Sequence, residues 1–593
     1  MMQPLLRLCT QQRLCAAAMV ESLTTAALTL SLVLVLTACG GGSAPNAAPN
    51  VQTKATAEPV ASAGQVAPAA AAAKLSFFAA SRFAEQVSFG PTPALVAEIQ
   101  AKGFEKWIDD QFAVAATPID VVPAEAVYAI GQNDPVPQEI GAYATNQFAR
   151  LALAGNDQLR LRVMWSLSQF VVASTRSSEP PAHVVWANLL YRNALGNYKT
   201  LLREASVDRH MGAYLNNDQN RPKSAECMHC APNENFAREL MQLFSLGVFK
   251  LNPDGTAQRD GRGRFDETYT QRDVEELARV LTGWTTDPNP TNRPPRNWGN
   301  WGKPMVPSTW PPERDAGSKT VLGKVFPAGQ TTTKDLDDAI DMLMAHANIA
   351  PFVSLRLIQH LVKSNPSPAY VGRVAAKFNN NGSGVKGDMK AAVKALLLDS
   401  EARAGDSPST ARSDDGKFRE PFLYSTAMWR GLGCTSFPVY HWNSSSPAFS
   451  GTQRPFEQSS VFSFYAPTDR APGSNLLAPE QRLANTEELR NRTNQASWPV
   501  TFDNVARRQD VSRLRTAGCD IDALSAAFFK SPTAYADYLS ARYFRGAMPP
   551  TLRSNLNDIM SLQGPPYNTA DPTQGPLVML NYATLTPYFG AMK

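Results

Sequence analysis

Apolar residues recur at intervals of three and four positions along most of the chain, which is the spacing of one face of an α-helix. Alternating apolar and polar residues, the pattern of a half-buried strand, are scarce. The pattern predicts an all-α or predominantly α fold: a large multi-helix body with long loops rich in aromatic residues and proline. The clearest helical runs are residues 159–172, 184–193, 336–345, 352–362, 370–378, 389–398, 422–432 and 534–544.

Local start signals predict two further helices. Thr92 is a favourable N-cap, and Pro93 suits the first helical position, where its missing N–H is not needed. Thr270 followed by Asp273 has the spacing of a capping box, in which side chains and backbone N–H groups bond reciprocally. We therefore expect helices to begin at Pro93 and just after Thr270.

The first residues have the pattern of an export signal. Arg7 and Arg13 precede an apolar run at residues 23–36, which is short for a membrane span, and small residues lead to Cys39. The junction resembles a lipobox, so we predict that residues 1–38 are a lipoprotein signal peptide and that Cys39 is lipidated. The alternative is an ordinary transmembrane helix that ends at a chance cysteine.

The segment after Cys39 differs in composition from the rest of the chain. Residues 39–74 consist largely of Ala, Pro, Gly, Ser and Thr, and such a segment has too little apolar surface to fold. We interpret it as a flexible tether for a single helical body at residues 75–593. Because Gly40 stands where an inner-membrane retention aspartate would lie, we expect an outer-membrane lipoprotein that faces the periplasm or the cell surface.

Charge and composition exclude several classes of function. The chain has 593 residues, with 57 Lys and Arg against 52 Asp and Glu, and its net charge is +5. So small an excess over this length predicts no nucleic-acid partner. Six histidines and no zinc-helix motif predict no metal site, and no sequence motif implies a cofactor.

Four cysteines of the body are candidates for disulfides: Cys227, Cys230, Cys434 and Cys519. In an oxidising compartment they allow three pairings, of which we prefer Cys227–Cys230 with Cys434–Cys519. The Cys-Met-His-Cys segment does not fit haem attachment, because Ala follows the second cysteine. A redox-active dithiol remains open beside a structural disulfide.

The densest polar segment lies at residues 232–240, where Pro and Asn predict the start of a helix that Gly247 ends. Glu234 and Arg238 are four residues apart and suited to pair, whereas Glu239 lies about 140° around the helix from Glu234. One apolar stripe is expected on the other side, formed by Phe236, Leu240, Leu243 and Phe244.

This helix supplies the candidate catalytic residues Glu234, Arg238 and Glu239. Since its two glutamates do not face each other, a second carboxylate would have to come from Asp315, Glu420 or Glu480. The competing interpretation is a buried structural network of glutamate and arginine. Asp315 is itself a catalytic candidate.

Two long loops, residues 287–312 and 437–472, are rich in aromatic side chains. Such side chains either stack on a flat ligand or anchor the loop to the body, and we favour anchoring. The tryptophans and the other aromatics concerned are Trp298, Trp301, Trp310, Tyr440, Trp442, Phe449, Phe462, Phe464 and Tyr465.

Taken in order, the motifs of the body resemble the large bacterial family known as domain of unknown function eighteen hundred. The resemblance covers nearly all of residues 75–590. It is carried by Arg82-Phe83, Gln86, Phe89-Gly90-Pro91-Thr92, Trp107, Gln111, residues 232–246, 269–284, 319–323, 357–359, 364–368, 387–388, 419–421, 460–465 and 477–480.

The resemblance implies an exported bacterial protein, often encoded beside a sulfatase-like family, and it implies no established activity. A sulfatase-like envelope protein is accordingly a candidate partner, and the oligomeric state stays open. Members of the family often have His-Asp where this chain has Arg314-Asp315, which argues against a role for that histidine here.

Two hypotheses from different classes follow. The chain is either a carboxylate-based enzyme that acts on an extracellular polymer or small molecule, or a non-catalytic surface lipoprotein that binds or assembles a partner. The enzyme requires Glu234 or Glu239 to meet a further carboxylate in an open pocket. The binding protein permits these groups to be paired and buried, with the aromatic loops exposed.

Overall fold

A computed structural model describes residues 75–121, 142–175, 180–286, 302–410, 412, 415–438, 452–501, 511–562 and 573–593. The chain divides into two units, Met1–Ala71 and Ala72–Lys593, and all described residues belong to the second. The predicted lipidation site Cys39 and its tether therefore lie outside the described residues. None of the described helices is long and apolar enough to cross a membrane.

The described part is predominantly α-helical, as the apolar spacing predicted. In chain order its helices are α1 Phe77–Val87, α2 Pro93–Lys102, α3 Phe104–Ala113, α4 Tyr143–Ala154, α5 Gln158–Ser168, α6 Pro180–Asn193, α7 Tyr198–Val207, α8 Arg209–Tyr214, α9 Asn235–Gln242, α10 Gln271–Val280, α11 Thr332–Ala345, α12 Ile349–Leu361, α13 Pro368–Asn379, α14 Met389–Leu398, α15 Ser400–Arg403, α16 Pro421–Gly431, α17 Thr486–Thr501, α18 Ile521–Lys530, α19 Pro532–Tyr543, α20 Pro550–Leu562 and α21 Gln574–Thr584.

Local capping explains where several helices begin. Thr92 accepts a hydrogen bond from the backbone N–H of Leu95 at the start of α2. Thr270 and Asp273 form the expected capping box at the start of α10. Both predicted helix starts are confirmed. They could be predicted because the residues of each capping signal lie within four positions of each other in the sequence.

The described residues also include short antiparallel strand pairs, the last of which joins segments that are distant in sequence. They pair β1 Trp284–Thr285 with β2 Val306–Pro307, β3 Lys319–Val321 with β4 Lys324–Phe326, and β5 Lys417–Phe418 with β6 Ala591–Met592. The last pair fixes the C-terminal residues beside Lys417, a buried lysine in the core.

The core contains a cluster of aromatic rings contributed by helices α4, α5 and α16. Phe148 and Phe422 stack with ring centroids 5.7 Å apart, and Trp165 lies 4.8 Å from Phe422. Phe89 meets both phenylalanines edge-on. Beside it, Gly90 has φ +140°, and a Cβ at this position would lie 2.5 Å from the Cα of Ala427. The turn between α1 and α2 therefore requires glycine for its close packing on α16.

Candidate functional site on helix α9

Helix α9 turns its polar side outward because its other side is buried. Phe236, Leu240 and Phe244 are each 1% exposed, and Leu243 is half-buried, which confirms the predicted stripe. The helix ends at Gln242, one turn before Gly247, and residues 243–246 continue as turns. Arg238 and Glu239 lie on the helix outside this stripe, and Glu234 is its N-cap residue.

Glu234 and Arg238 bind each other and a residue from the next helix. Arg238 Nη2 lies 2.8 Å from Glu234 Oε2 and donates a second hydrogen bond of 2.9 Å to Gln271 Oε1. Gln271 Nε2 completes the triangle with a 2.9 Å bond to Glu234 Oε2. The opposite charges of Glu234 and Arg238 therefore offset each other at the surface.

Glu239 is in a different environment one turn along the same helix. It is half-buried, and its Oε2 is shielded from solvent without a hydrogen-bond partner among the described residues. Burial raises the pKa of its carboxyl to about 7, against a smaller opposing effect of the Arg238 charge. At neutral pH this carboxyl can therefore hold or release a proton.

Two half-buried tyrosines lie near Glu239. The pKa of Tyr214 is raised by burial and by the negative charge of Glu239. Burial also raises the pKa of Tyr269 to about 12, with Arg238 lowering it and Glu239 raising it. The Tyr269 hydroxyl donates a 3.1 Å hydrogen bond to Oε1 of Gln242 on α9. Glu239, Tyr214 and Tyr269 thus form a partly accessible cluster of hydroxyl and carboxyl groups.

Asp315 occupies a separate position at the opposite end of α10. Its carboxylate binds the Nε of Arg279 at 2.7 Å and the Nη2 of Arg279 at 3.2 Å. Burial alone would raise the pKa of Asp315, but the hydrogen bonds from Arg279 and Gly317 lower it. Because Gln271 begins α10 and Arg279 lies in its last turn, the two contacts are separated by about 12 Å along the helix.

Glu420 and Glu480 lie in the core, where both bind Lys417. The Nζ of Lys417 is 2.9 Å from Oε1 of each carboxylate, and the three side chains are at most 2% exposed. Gln453 donates a 2.5 Å hydrogen bond to Glu420, and the Ser364 hydroxyl lies 3.4 Å from Glu480. These carboxylates are thus committed to Lys417 and are sealed from solvent.

Arg162 and His360 complete this group, which we call the charged centre (Arg162, His360, Lys417, Glu420 and Glu480). Arg162 Nη2 and Lys417 Nζ both donate to the backbone oxygen of His360, at 2.9 and 3.3 Å. Burial would raise the pKa of Glu420, but the charges of Lys417 and His360 outweigh it and hold the pKa at about 2. Burial raises the pKa of Glu480 despite the same lysine.

The second carboxylate expected beside α9 is therefore not found at any of the three predicted positions. Asp315, Glu420 and Glu480 bind Arg279 or Lys417 instead, because a buried carboxylate is stable only with a cation or several donors close by. The tyrosines near Glu239 and the central position of Lys417 were missed by the sequence analysis. Tyr269 lies one residue before the Thr270 capping box, which was the available local signal.

The structure contains the disulfides Cys227–Cys230 and Cys434–Cys519, which is the pairing preferred from the sequence.

In the part of the chain that is described, no group of three or more His, Cys, Asp or Glu side chains could hold a metal ion. Of the aromatic loop residues, Tyr465 is buried and Phe462 is 43% exposed. Trp298, Trp301, Tyr440, Trp442 and Phe449 lie outside the described residues.

An apolar cavity of about 160 Å³ lies elsewhere, between the N-terminal helices and α19. Phe77, Val96, Tyr538 and Arg542 are among its lining residues, and no candidate residue of α9 contributes to it. It therefore does not form part of the α9 cluster.

Comparison with known proteins gives one match. A family model described as a protein of unknown function (DUF1800) matches residues 82–590. No curated protein and no solved structure matches the chain. The matched range includes α9, the charged centre and both disulfides.

Proposed function

The chain belongs to the DUF1800 family of proteins of unknown function, and from that premise we propose that it is a lipid-anchored protein of the bacterial cell envelope. We further propose that it binds a hydroxyl-rich ligand at the α9 site (Glu234, Arg238, Glu239 and Gln271) and exchanges a proton with it through Glu239. The proposal makes the chain an enzyme of the acid–base class that acts on an extracellular polymer or small molecule. Because Asp315, Glu420 and Glu480 bind other cations, it differs from the two-carboxylate enzyme expected from the sequence: Glu239 acts as the single carboxyl, with Tyr214 and Tyr269 nearby.

The anchor rests on the sequence of the first forty residues. The apolar run at residues 23–36 ends in small residues at Cys39, and the tether composition follows directly. Replacing Cys39→Ala is expected to move the protein from the membrane fraction to the soluble fraction, whereas Cys15→Ala, inside the signal, should leave it membrane-bound. Unchanged membrane association of Cys39→Ala would exclude lipidation at this residue.

The acid–base role rests on one observation, the unpartnered and shielded Oε2 of Glu239. Buried polar atoms are normally satisfied, so an exception marks either stored strain or a group that binds something else. With a pKa of about 7, Glu239 is present as both acid and base near neutral pH, which suits proton transfer. Its position beside Tyr214 and Tyr269 supports a ligand that can accept and donate hydrogen bonds.

The surrounding side chains favour an uncharged ligand. Arg238 is paired with the Glu234 carboxylate and donates to Gln271, which weakens its attraction for a phosphate or carboxylate. Amide groups of Gln271, Asn216 and Asn235 lie exposed nearby, and Asn235 donates to Asn216 at 2.9 Å. Amides and tyrosine hydroxyls match the donors and acceptors of sugar hydroxyls, so we take polysaccharides as the first substrates to test.

The test is a screen of the purified mature chain for binding and turnover of envelope and extracellular polysaccharides. We expect Glu239→Gln to lower turnover by roughly 10²–10⁴-fold while binding persists, because the amide keeps the shape but cannot transfer a proton. Glu98→Gln, which changes an exposed carboxylate on α2 that pairs with Lys102, is the matched control and should keep most of the activity. Equal turnover by Glu239→Gln and the unaltered chain would refute the acid–base role.

The second candidate is a non-catalytic surface protein that binds or assembles a partner, such as a sulfatase-like envelope protein. It is favoured by the commitment of Asp315, Glu420 and Glu480 to other cations, since none of these three carboxylates assists Glu239. Ligand binding without any turnover, unaffected by Glu239→Gln, would support this alternative over the enzyme.

A further inference from the structure

A loop at residues 221–232 connects α8 to α9 and is closed at its base by two asparagines. The backbone N–H of Asn233 donates a 2.7 Å hydrogen bond to Oδ1 of Asn220, whose side-chain amide reaches the Ala278 oxygen at 3.4 Å. The backbone oxygen of Asn220 accepts a bond from Gly283. The base is therefore tied to α10 independently of anything farther out in the loop.

The Cys227–Cys230 disulfide lies in the outer part of this loop. Both cysteines are half-buried, Met228 between them is 60% exposed, and His229 is exposed. The backbone N–H of Cys230 donates to the Cys227 oxygen, and Cys227 pairs with Ser224 in both directions, all at 3.2 Å. These contacts stay within the loop and hold the two sulfurs near each other without support from the core.

The other disulfide of the same chain has the opposite environment. Cys434 and Cys519 are 3% and 6% exposed and are separated by 85 residues. Backbone hydrogen bonds flank them, from Thr435 to Ala517 at 2.9 Å and from Asp520 to Leu432 at 2.8 Å. This bond connects the end of α16 to the start of α18 inside the core.

We propose that Cys227–Cys230 is a thiol–disulfide exchange site that accepts two electrons from a protein dithiol while the body stays folded. A thiolate of the donor attacks one sulfur, the Cys227–Cys230 bond breaks, and the released cysteine thiolate takes up a proton. The second donor thiol then displaces the other cysteine as a thiol. The donor leaves as a disulfide, and Cys227 and Cys230 are both reduced.

Two features support exchange over a purely structural bond. An attacking thiolate must reach a sulfur, which the exposed loop allows and the core around Cys434 and Cys519 does not. Reduction opens a ring of four residues only, and the clamp of Asn220 and Asn233 remains. The backbone hydrogen bond from Cys230 to Cys227 keeps the reduced cysteines close, so that the bond can form again.

The experiment uses the full chain with dithiothreitol as the dithiol probe, followed by alkylation and peptide mass spectrometry under native conditions. We expect one disulfide per chain, Cys227–Cys230, to react at least ~100-fold faster than Cys434–Cys519, with an unchanged circular dichroism spectrum. Glutathione disulfide should then restore the bond. Equal resistance of both disulfides, or reduction of Cys227–Cys230 only together with unfolding, would overturn the proposal.

A paired variant separates exchange from folding. Cys227→Ser with Cys230→Ser should keep the circular dichroism spectrum and the Cys434–Cys519 bond but consume no dithiothreitol under native conditions. If this variant does not fold, the unaltered chain is selectively reduced and alkylated at Cys227 and Cys230, and its thermal melting curve is measured. The curve shows whether the folded state needs this disulfide. An unchanged melting curve supports the exchange site, and loss of the folded state contradicts it.

Discussion

Two regions of the molecule hold acidic side chains under opposite conditions. In the charged centre, Glu420 and Glu480 share Lys417 at 2.9 Å and are sealed from water. On α9, Glu234 is paired at the surface, while Glu239 is half-buried and its Oε2 has no partner among the described residues. The sealed carboxylates have partners, whereas the half-buried carboxyl of Glu239 has one oxygen without a partner among the described residues.

The difference separates stabilising from reactive carboxylates. A charge removed from water must be matched by a cation or donors, so the charged centre stabilises the segments that supply it. It joins α12, strand β5 and the turn at Pro479–Leu483, which are far apart in sequence. The half-buried carboxyl of Glu239 makes no ion pair with the described residues and instead keeps its proton up to about neutral pH. A group that titrates in this range can take part in proton transfer.

The largest effect is expected from removing the cation of the charged centre. Lys417→Met leaves two buried carboxylates without their shared partner, and we expect the free energy of unfolding to fall by about 3–5 kcal/mol. Urea denaturation of the purified chain measures it. The matched control is Lys250→Met, which breaks a surface pair with Asp266 at 3.0 Å and should change stability by less than about 1 kcal/mol.

Similar losses in the two lysine variants would break the comparison between sealed and exposed pairs. Such a result would mean that water reaches Glu420 and Glu480 and replaces the lysine. A large loss for Lys417→Met alone would instead establish that the centre is dry and that its charges depend on each other.

The two regions also differ in how far the sequence predicts them. The Thr270 capping box and the Glu234–Arg238 pair follow from spacings of three and four residues, and the structure has both. Lys417 and Glu480 meet across a sequence separation of 63 residues, and a single sequence carries no signal for this contact. Expecting Glu420 or Glu480 beside α9 failed for this reason.

Glu239 illustrates a second limit of sequence reasoning. Its position opposite Glu234 is set by helix geometry and could be predicted. Its raised pKa comes from burial, which depends on how the folded chain surrounds the carboxyl. Tertiary packing therefore decides the chemistry of a residue whose position on the helix is locally determined.

A smaller effect is expected from Glu239 and should appear as a dependence of stability on pH. Its folded pKa of about 7 exceeds the ordinary value of 4.5, so the folded state binds the proton more tightly. Stability from this group is fully present below pH 4.5 and is lost as pH rises through 7. Allowing for solvent screening, we expect a loss of roughly 1–2 kcal/mol between pH 4.5 and 8.

Glu239→Gln removes the titrating proton and should flatten this part of the stability profile. Urea denaturation at pH 5 and pH 8 measures the difference between the variant and the unaltered chain. Glu234→Gln is the control and should retain the slope. An identical slope in Glu239→Gln would mean that the carboxyl titrates normally and is not shielded.

The smallest effect concerns the charge nearest to Glu239. Arg238 lowers the pKa of Glu239, so Arg238→Met should move the titration of Glu239 to higher pH, by a fraction of a unit. Because the Arg238–Glu234 pair is more than one-third exposed, stability at pH 5 should change by less than about 1 kcal/mol. Carbon NMR of labelled glutamate carboxyls follows the titration directly, with Arg203→Met as a control for loss of a surface charge. A downward shift would show that removing Arg238 admits water to Glu239, so that hydration and not the arginine charge determines its proton affinity.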